Sequence, residues 1–246
     1  MFTQQNTKQH QMDNLSVCVF GSSSDKTPSS FLKAGYELGT LLAKKNYSCV
    51  NGGGKFGVMG AVNRGIIDND GVSIGVIHSK WVVDIDEMQD GMSKMIVVDG
   101  NNLVERKRLL FENSDAFITL PGGAGSFDEL FEFICEKQLG FHNKPVVIVN
   151  IDNYYDGIIA QLNEAKRYNL LHSNVENMVY VCSNIEDALE YCEKESTNNM
   201  DYKVVLKERK KKINIERQSI FNKQLNTGII GGAVLGFSFL KLISRL

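Results

Sequence analysis

Residues 116–129 read AFITLPGGAGSFDE: an unbroken apolar run, a proline, a turn holding Gly122, Gly123 and Gly125, and then an acidic, helix-compatible start. A run without polar alternation suits a strand covered on both faces, as parallel sheets are. The glycines let the backbone approach a ligand closely, and the helix that follows would present its N-terminal N–H groups to an anion. The preceding run, ERKRLLFENS at residues 105–114, has the composition of a basic helix. Strand, glycine turn and helix in this order, with cations one helix upstream, describe the phosphate corner of a nucleotide site.

The rest of the chain repeats the unit. Candidate strands lie at 17–20, 48–50, 73–77, 95–98, 116–120, 146–150 and 178–181, separated by candidate helices at 29–45, 57–68, 103–113, 126–139, 154–168 and 185–194. This alternation predicts an α/β fold, a Rossmann-like doubly wound parallel sheet with helices on both faces. Three glycine-bearing motifs follow the strands ending at Phe20, Val50 and Leu120, at the carboxyl ends where such sheets bind ligands.

At 246 residues and 43% hydrophobic content, one well-buried catalytic domain is expected over residues 15–195. Residues 1–14 read as a disordered lead without the apolar core of a secretory signal. Residues 196–224 read as a polar, basic linker or helix, and 225–246 as a glycine-rich apolar segment. Residues 203–246 carry ten Lys/Arg against two acidic residues, a net +8, which leaves −10 on residues 1–202 of a total of −2. An acidic body argues against a nucleic-acid partner. The five cysteines are scattered, with Cys18, Cys49 and Cys182 in or beside strand-like runs, so reduced core thiols in a cytoplasmic setting are expected. The four histidines are isolated and no ligand spacing is present, so no metal site is expected.

Candidate ligand contacts fall in four places. Gly21 and Ser22 close the first strand, and a serine there equally suits a helix cap. Gly52, Gly53, Gly54 and Gly57 form a second turn suited to holding phosphate through backbone N–H groups, without the lysine and hydroxyl of a Walker loop. Arg106 and Lys107 belong to a charged cluster that also reads as a solvated helix face. Ser126 and Glu129 have the S-x-x-E spacing of a capping box, in which both side chains serve only the helix start.

Taken together, PGGAGSFDE (121–129), VFGSSS (19–24), NGGGKFGVMGAVNRG (51–65) and QLGFHNKPVVIVNIDNYYDG (138–157) resemble the LOG ("lonely guy") family, phosphoribohydrolases that were long mislabelled lysine decarboxylases. The resemblance implies hydrolysis of the N-glycosidic bond of adenosine 5′-monophosphates, including N6-substituted ones, with no cofactor and a homodimeric assembly. It implies catalytic roles for Arg106 and Glu129. It implies substrate contacts from Gly21, Ser22, Gly53, Gly54, Gly57, Lys107, Gly122, Gly123, Ala124, Gly125, Ser126, Phe127 and Asp128, and an acidic contact at Glu87, with Asp86 as its alternative. Ser126 stands where the family has threonine, and Leu103-Val104 replaces the Met-His that commonly precedes the Arg-Lys pair. The rival reading is a non-catalytic nucleotide-sensing or carrier module. Lysine decarboxylation needs a pyridoxal-phosphate lysine, and no lysine here has that context.

The tail departs from the family pattern. Residues 224–240 are 17 uncharged residues with Gly228, Gly232 and Gly236 four apart, a spacing that suits close helix packing in lipid. The basic run at 207–212 lies upstream. A membrane association through this segment, with the catalytic domain in the cytosol, is the expectation; the alternative is a water-soluble helix that packs on the body or on a partner subunit.

Overall fold

The computed structural model describes residues 15–85 and 88–196, together with Ile215 and Ser219. Residues up to Asn199 form one compact unit and residues from Met200 a second. Within the second, the described Ile215 and Ser219 are helical and exposed.

Seven parallel strands form one sheet in the order β4-β3-β2-β1-β5-β6-β7. They are β1 (Ser16–Phe20), β2 (Ser48–Asn51), β3 (Val72–His78), β4 (Lys94–Val98), β5 (Ala116–Thr119), β6 (Val146–Val149) and β7 (Tyr180–Cys182). β5 and β6 are buried at every residue, which is why their sequences carry no alternation. The helices of the first unit are α1 (Ser29–Lys44), α2 (Gly57–Ile67), α3 (Ser79–Ile85), α4 (Val104–Glu112), α5 (Ala124–Gln138), α6 (Asp156–Arg167) and α7 (Val175–Met178), with a further helix, α8, over 185–196.

Alternate residues of each strand feed two cores. Val17, Val19 and Ile118 pack with Leu38 and Leu42 of α1, Val62 and Ile66 of α2, and Leu189 and Cys192 of α8. Cys18, Phe20 and Phe117 face the other way, onto Leu110 of α4, Leu130 and Phe133 of α5, and Leu162 of α6. The doubly wound α/β expectation is met. At Gly39 of α1, an added Cβ would lie 3.0 Å from the backbone N of Ile66, so only glycine lets α1 and α2 cross this closely.

The differences from the sequence reading are local. α5 starts at Ala124 behind an extended Gly123 (φ −96°, ψ −154°), two residues ahead of the serine expected to open it. α6 starts at Asp156, because Asp152 and Asn153 are left-handed (φ 51° and 60°) and hold the chain in a turn before Tyr154 and Tyr155. Met178 belongs to the short α7 rather than to β7. α3 was not anticipated. Among the described residues, no helix is long and apolar enough to cross a membrane. The tail segment at 224–240, the basic run at 207–212, and Asp86 and Glu87 lie outside the described residues.

Candidate active site

β1 and β5 are neighbours whose chains leave in opposite directions, β1 through α1 toward β2 and β5 through α5 toward β6. A crevice therefore opens beyond their carboxyl ends, the usual ligand position in such sheets. The turns after these strands are joined by a hydrogen bond from Ser22 N to the Pro121 carbonyl (3.0 Å). The Ser22 carbonyl then accepts from Met59 N (3.1 Å), which links the first turn to the start of α2. Gly57 sits beside that carbonyl with φ of 61°, where any side chain would collide with it. Sequence-predicted Gly21, Ser22, Gly57 and Gly122 thus meet at one place. Gly122 packs so closely on Gly21 and the Ser126 side chain that it has no room for a Cβ.

The second glycine turn is held by a polar lattice the sequence reading did not find. Asn51, at the end of β2, accepts from Gly53 N (2.8 Å) and donates to Asn63 Oδ1 of α2 (2.6 Å). Asn63 donates in turn to the Gly54 carbonyl (3.1 Å). Both asparagines are fully buried, so each bond replaces a lost water contact. Their signal was present as two asparagines bracketing the glycine motif, one on a strand end and one nearly two turns inside α2.

Beneath these turns lies the charged pair. Arg106 of α4 and Glu129 of α5 are 7% and 8% exposed and form an ion pair, Nη1 to Oε1, at 2.8 Å. Arg106 is further fixed by donation from Nε to the Val76 carbonyl of β3 (2.9 Å) and by the Trp81 ring of α3, 5.4 Å from Cζ. Its Nη2 lies against Gly52, where a side chain would displace it. Four elements therefore aim one guanidinium. Burial pushes the Glu129 carboxyl above its ordinary range, and the Arg106 charge and hydrogen bond only partly pull it back. The Cys18 thiol in the same layer is held well above its usual value, by burial first and by Glu129 next, so it stays neutral.

This geometry overturns the capping-box reading of Ser126 and Glu129. With α5 starting at Ala124, Ser126 lies in its first turn, and no side chain makes a cap bond at its N-terminus. Glu129 spends an oxygen on Arg106 instead. Gly123, Ala124 and Gly125 are exposed at the mouth of the crevice, while Ser126 is buried behind them.

Lys107 and Asp128 are brought together, but with each other. The Lys107 ammonium bonds Asp128 (Nζ to Oδ2, 3.0 Å) and Glu132 of α5, and is largely buried. Burial works against its charge, but Glu132 and Asp128 outweigh that and hold its pKa above the ordinary value. Phe127 packs edge-on to Tyr155 (6.2 Å between centroids). The Ser22 hydroxyl serves its own loop: Thr27 donates to the Ser24 carbonyl (2.7 Å), which leaves Ser22 Oγ to donate to Thr27 Oγ1 (2.8 Å).

A parallel Rossmann-like sheet with a buried Arg–Glu pair under a glycine-lined crevice is the frame of a nucleotide-site protein, and comparison with known proteins narrows it. A family model described as possible lysine decarboxylase matches residues 59–192. The probable cytokinin riboside 5′-monophosphate phosphoribohydrolase LOG6 of Arabidopsis thaliana is 36% identical over 159 residues, covering 65% of this chain and 78% of its own. The cytokinin riboside 5′-monophosphate phosphoribohydrolase of Rhodococcoides fascians is 30% identical over 174 residues, covering 71% and 87%. Among solved structures, the molybdenum cofactor carrier protein of Chlamydomonas reinhardtii shares the fold at a TM-score of 0.55 and 20% identity, over 74% of this chain and 98% of that one. The chain belongs to the LOG family.

Proposed function

We propose that this chain hydrolyses the N-glycosidic bond of adenosine 5′-monophosphates, N6-substituted ones included, to free base and ribose 5-phosphate. The observation that carries the reading is the buried Arg106–Glu129 pair at the switch point of the sheet. Leaving of the base gives the ribose oxocarbenium character, and a carboxylate beside it stabilises that charge. Water supplies the oxygen that bonds C1′, Glu129 orients that water and accepts its proton, and the base departs with the C1′–N electron pair and takes a proton from solvent. Its raised pKa makes it a better base than an ordinary glutamate. Arg106 keeps that carboxylate in place, and the glycine turns fix the 5′-phosphate and so orient the sugar.

The names of the relatives support a nucleoside 5′-monophosphate substrate. The carrier reading has support only from fold likeness, and a carrier has no need of a buried carboxylate at the sugar. Incubation of purified protein with AMP, GMP, CMP and isopentenyladenosine monophosphate tests the proposal. Base and ribose 5-phosphate should appear in equal amounts, fastest from the adenine nucleotides. Tight binding without release of base would return the chain to the carrier reading. A homodimer is proposed with it, on the family resemblance, and light scattering at assay concentration decides that.

A further inference from the structure

The motif NYYDG at residues 153–157 has no part in the chemistry above, yet it reaches into the phosphate corner. The Tyr154 hydroxyl donates to the carbonyl of Gly122 (2.6 Å), and the Tyr155 hydroxyl donates to the carbonyl of Leu120 (2.8 Å). Between them, the Pro121 carbonyl accepts from Ser22 N (3.0 Å). Three consecutive carbonyls of the glycine turn are therefore engaged from outside the turn. Peptide units are planar and trans, so a carbonyl held in one direction turns the following N–H the opposite way. The Gly122 N–H itself lies against the Tyr155 hydroxyl oxygen, and the bond to the Gly122 carbonyl turns the Gly123 N–H away from Tyr154. Gly123 directly precedes the exposed start of α5, whose first N–H groups have no partner within the helix and favour an anion.

The two tyrosines are themselves held. Tyr155 is fully buried, its N–H donates to Asn150 Oδ1 (2.7 Å), and Asn150 donates to Asp156 (2.7 Å). The Tyr154 ring stands edge-on to Phe31 of α1 (5.5 Å) and to Tyr155 (5.0 Å). Burial keeps the Tyr155 hydroxyl protonated and able to donate across the working pH range.

We infer that Tyr154 and Tyr155 are positioning residues for the 5′-phosphate: they fix the glycine turn, and with it the Gly123 N–H at the start of α5, without touching the substrate. The inference rests on the phosphoribohydrolase reading for its ligand and extends it to a second ring of residues. It predicts an effect on phosphate-bearing ligands alone. Tyr154→Phe removes only the oxygen and keeps the ring packing.

The test pairs kinetics with binding in the full chain. For Tyr154→Phe, KM for AMP and Kd for ribose 5-phosphate, read by titration calorimetry, should both rise about five-fold, as expected for the loss of one hydrogen bond. The kcat should stay within two-fold, and affinity for adenosine, which lacks the phosphate, should not move. Tyr155→Phe should act in the same direction, and the double variant more strongly than either. Unchanged ribose 5-phosphate affinity in Tyr154→Phe, or an equal loss for adenosine, overturns the inference. Should the parent release no base from AMP yet bind ribose 5-phosphate in a Tyr154-dependent way, the positioning role stands and the hydrolase reading falls.

Discussion

Glu129→Gln separates chemistry from folding, and the structure sets the size of both effects. The amide keeps an acceptor where Oε1 meets Arg106 Nη1 at 2.8 Å, and it changes neither volume nor shape. What it removes is one buried negative charge. In the proposed mechanism that charge faces a developing cation in the transition state, and loss of one such preorganised group costs roughly 3–4 kcal/mol, or about 10²–10³ in kcat. In the folded ground state the same loss is smaller, because the amide still accepts from Nη1, so the buried guanidinium loses its counter-charge but not its hydrogen bond, and Glu129 sheds a charge that burial already opposes. Stability should therefore stay within about 2 kcal/mol of the parent, a shift of no more than roughly 8 °C for a domain of this size. Arg106→Ala is the contrasting case. It leaves the carboxylate 8% exposed and without its cation, a loss of about 3–5 kcal/mol, so both activity and melting temperature should drop. Base release from AMP and a thermal melt, run on both variants, decide the matter. Turnover by Glu129→Gln within a few-fold of the parent would refute the mechanism, and a melt as low as that of Arg106→Ala would refute the energetics.

Other expectations follow from the same contacts. The raised Glu129 carboxyl must be ionised to work, so kcat/KM should fall with decreasing pH at a value above the ordinary glutamate range, and a pH–rate profile reads it. Since the folded state raises this pKa, its contribution to stability is present below the unfolded value and lost as pH rises through the folded one. Lys107→Ala, which frees Asp128 and Glu132, should lower kcat/KM about ten-fold by loosening α4 from α5. Arg108→Ala should leave it unchanged, because Arg108 is half exposed and pairs with Glu105 and Glu112 on its own helix. Buried His142 accepts at Nδ1 from Lys144 N and so donates from Nε2 to the Phe133 carbonyl. Burial lowers its pKa to about 4, so the stability it contributes is full above 6.5 and lost as pH falls toward 4. Urea midpoints across that window should fall more steeply for the parent than for His142→Gln.

How much of this was legible in the sequence depended on whether the signal was local. Fully apolar runs such as VVIV at 146–149 and AFIT at 116–119 identify buried parallel strands on their own, and all seven strands were found from such runs. The glycine turns were equally plain, because the backbone at Gly57 admits nothing else. The lattice of Asn51 and Asn63 and the tyrosine donors to Leu120 and Gly122 were not legible. Their partners are main-chain carbonyls and amides, which every residue has and no motif records.

The sharpest conflict in the sequence was Ser126–Glu129, and the reason is physical. A capping box and a catalytic carboxylate place the same residue types at the same spacing, and they differ only in where the helix begins. A start at Ala124 moves Glu129 beyond the reach of the first N–H groups and turns it inward, onto an arginine 23 residues earlier in the chain. That start is possible because Gly123 is extended and the preceding turn is braced from outside by Ser22, Tyr154 and Tyr155. The residues that brace the glycine turn therefore also set the register that makes Glu129 a partner of Arg106. A variant that frees the turn should disturb the Arg106–Glu129 pair as well, and the two tyrosine hydroxyls removed together should lower kcat where each alone affects mainly KM.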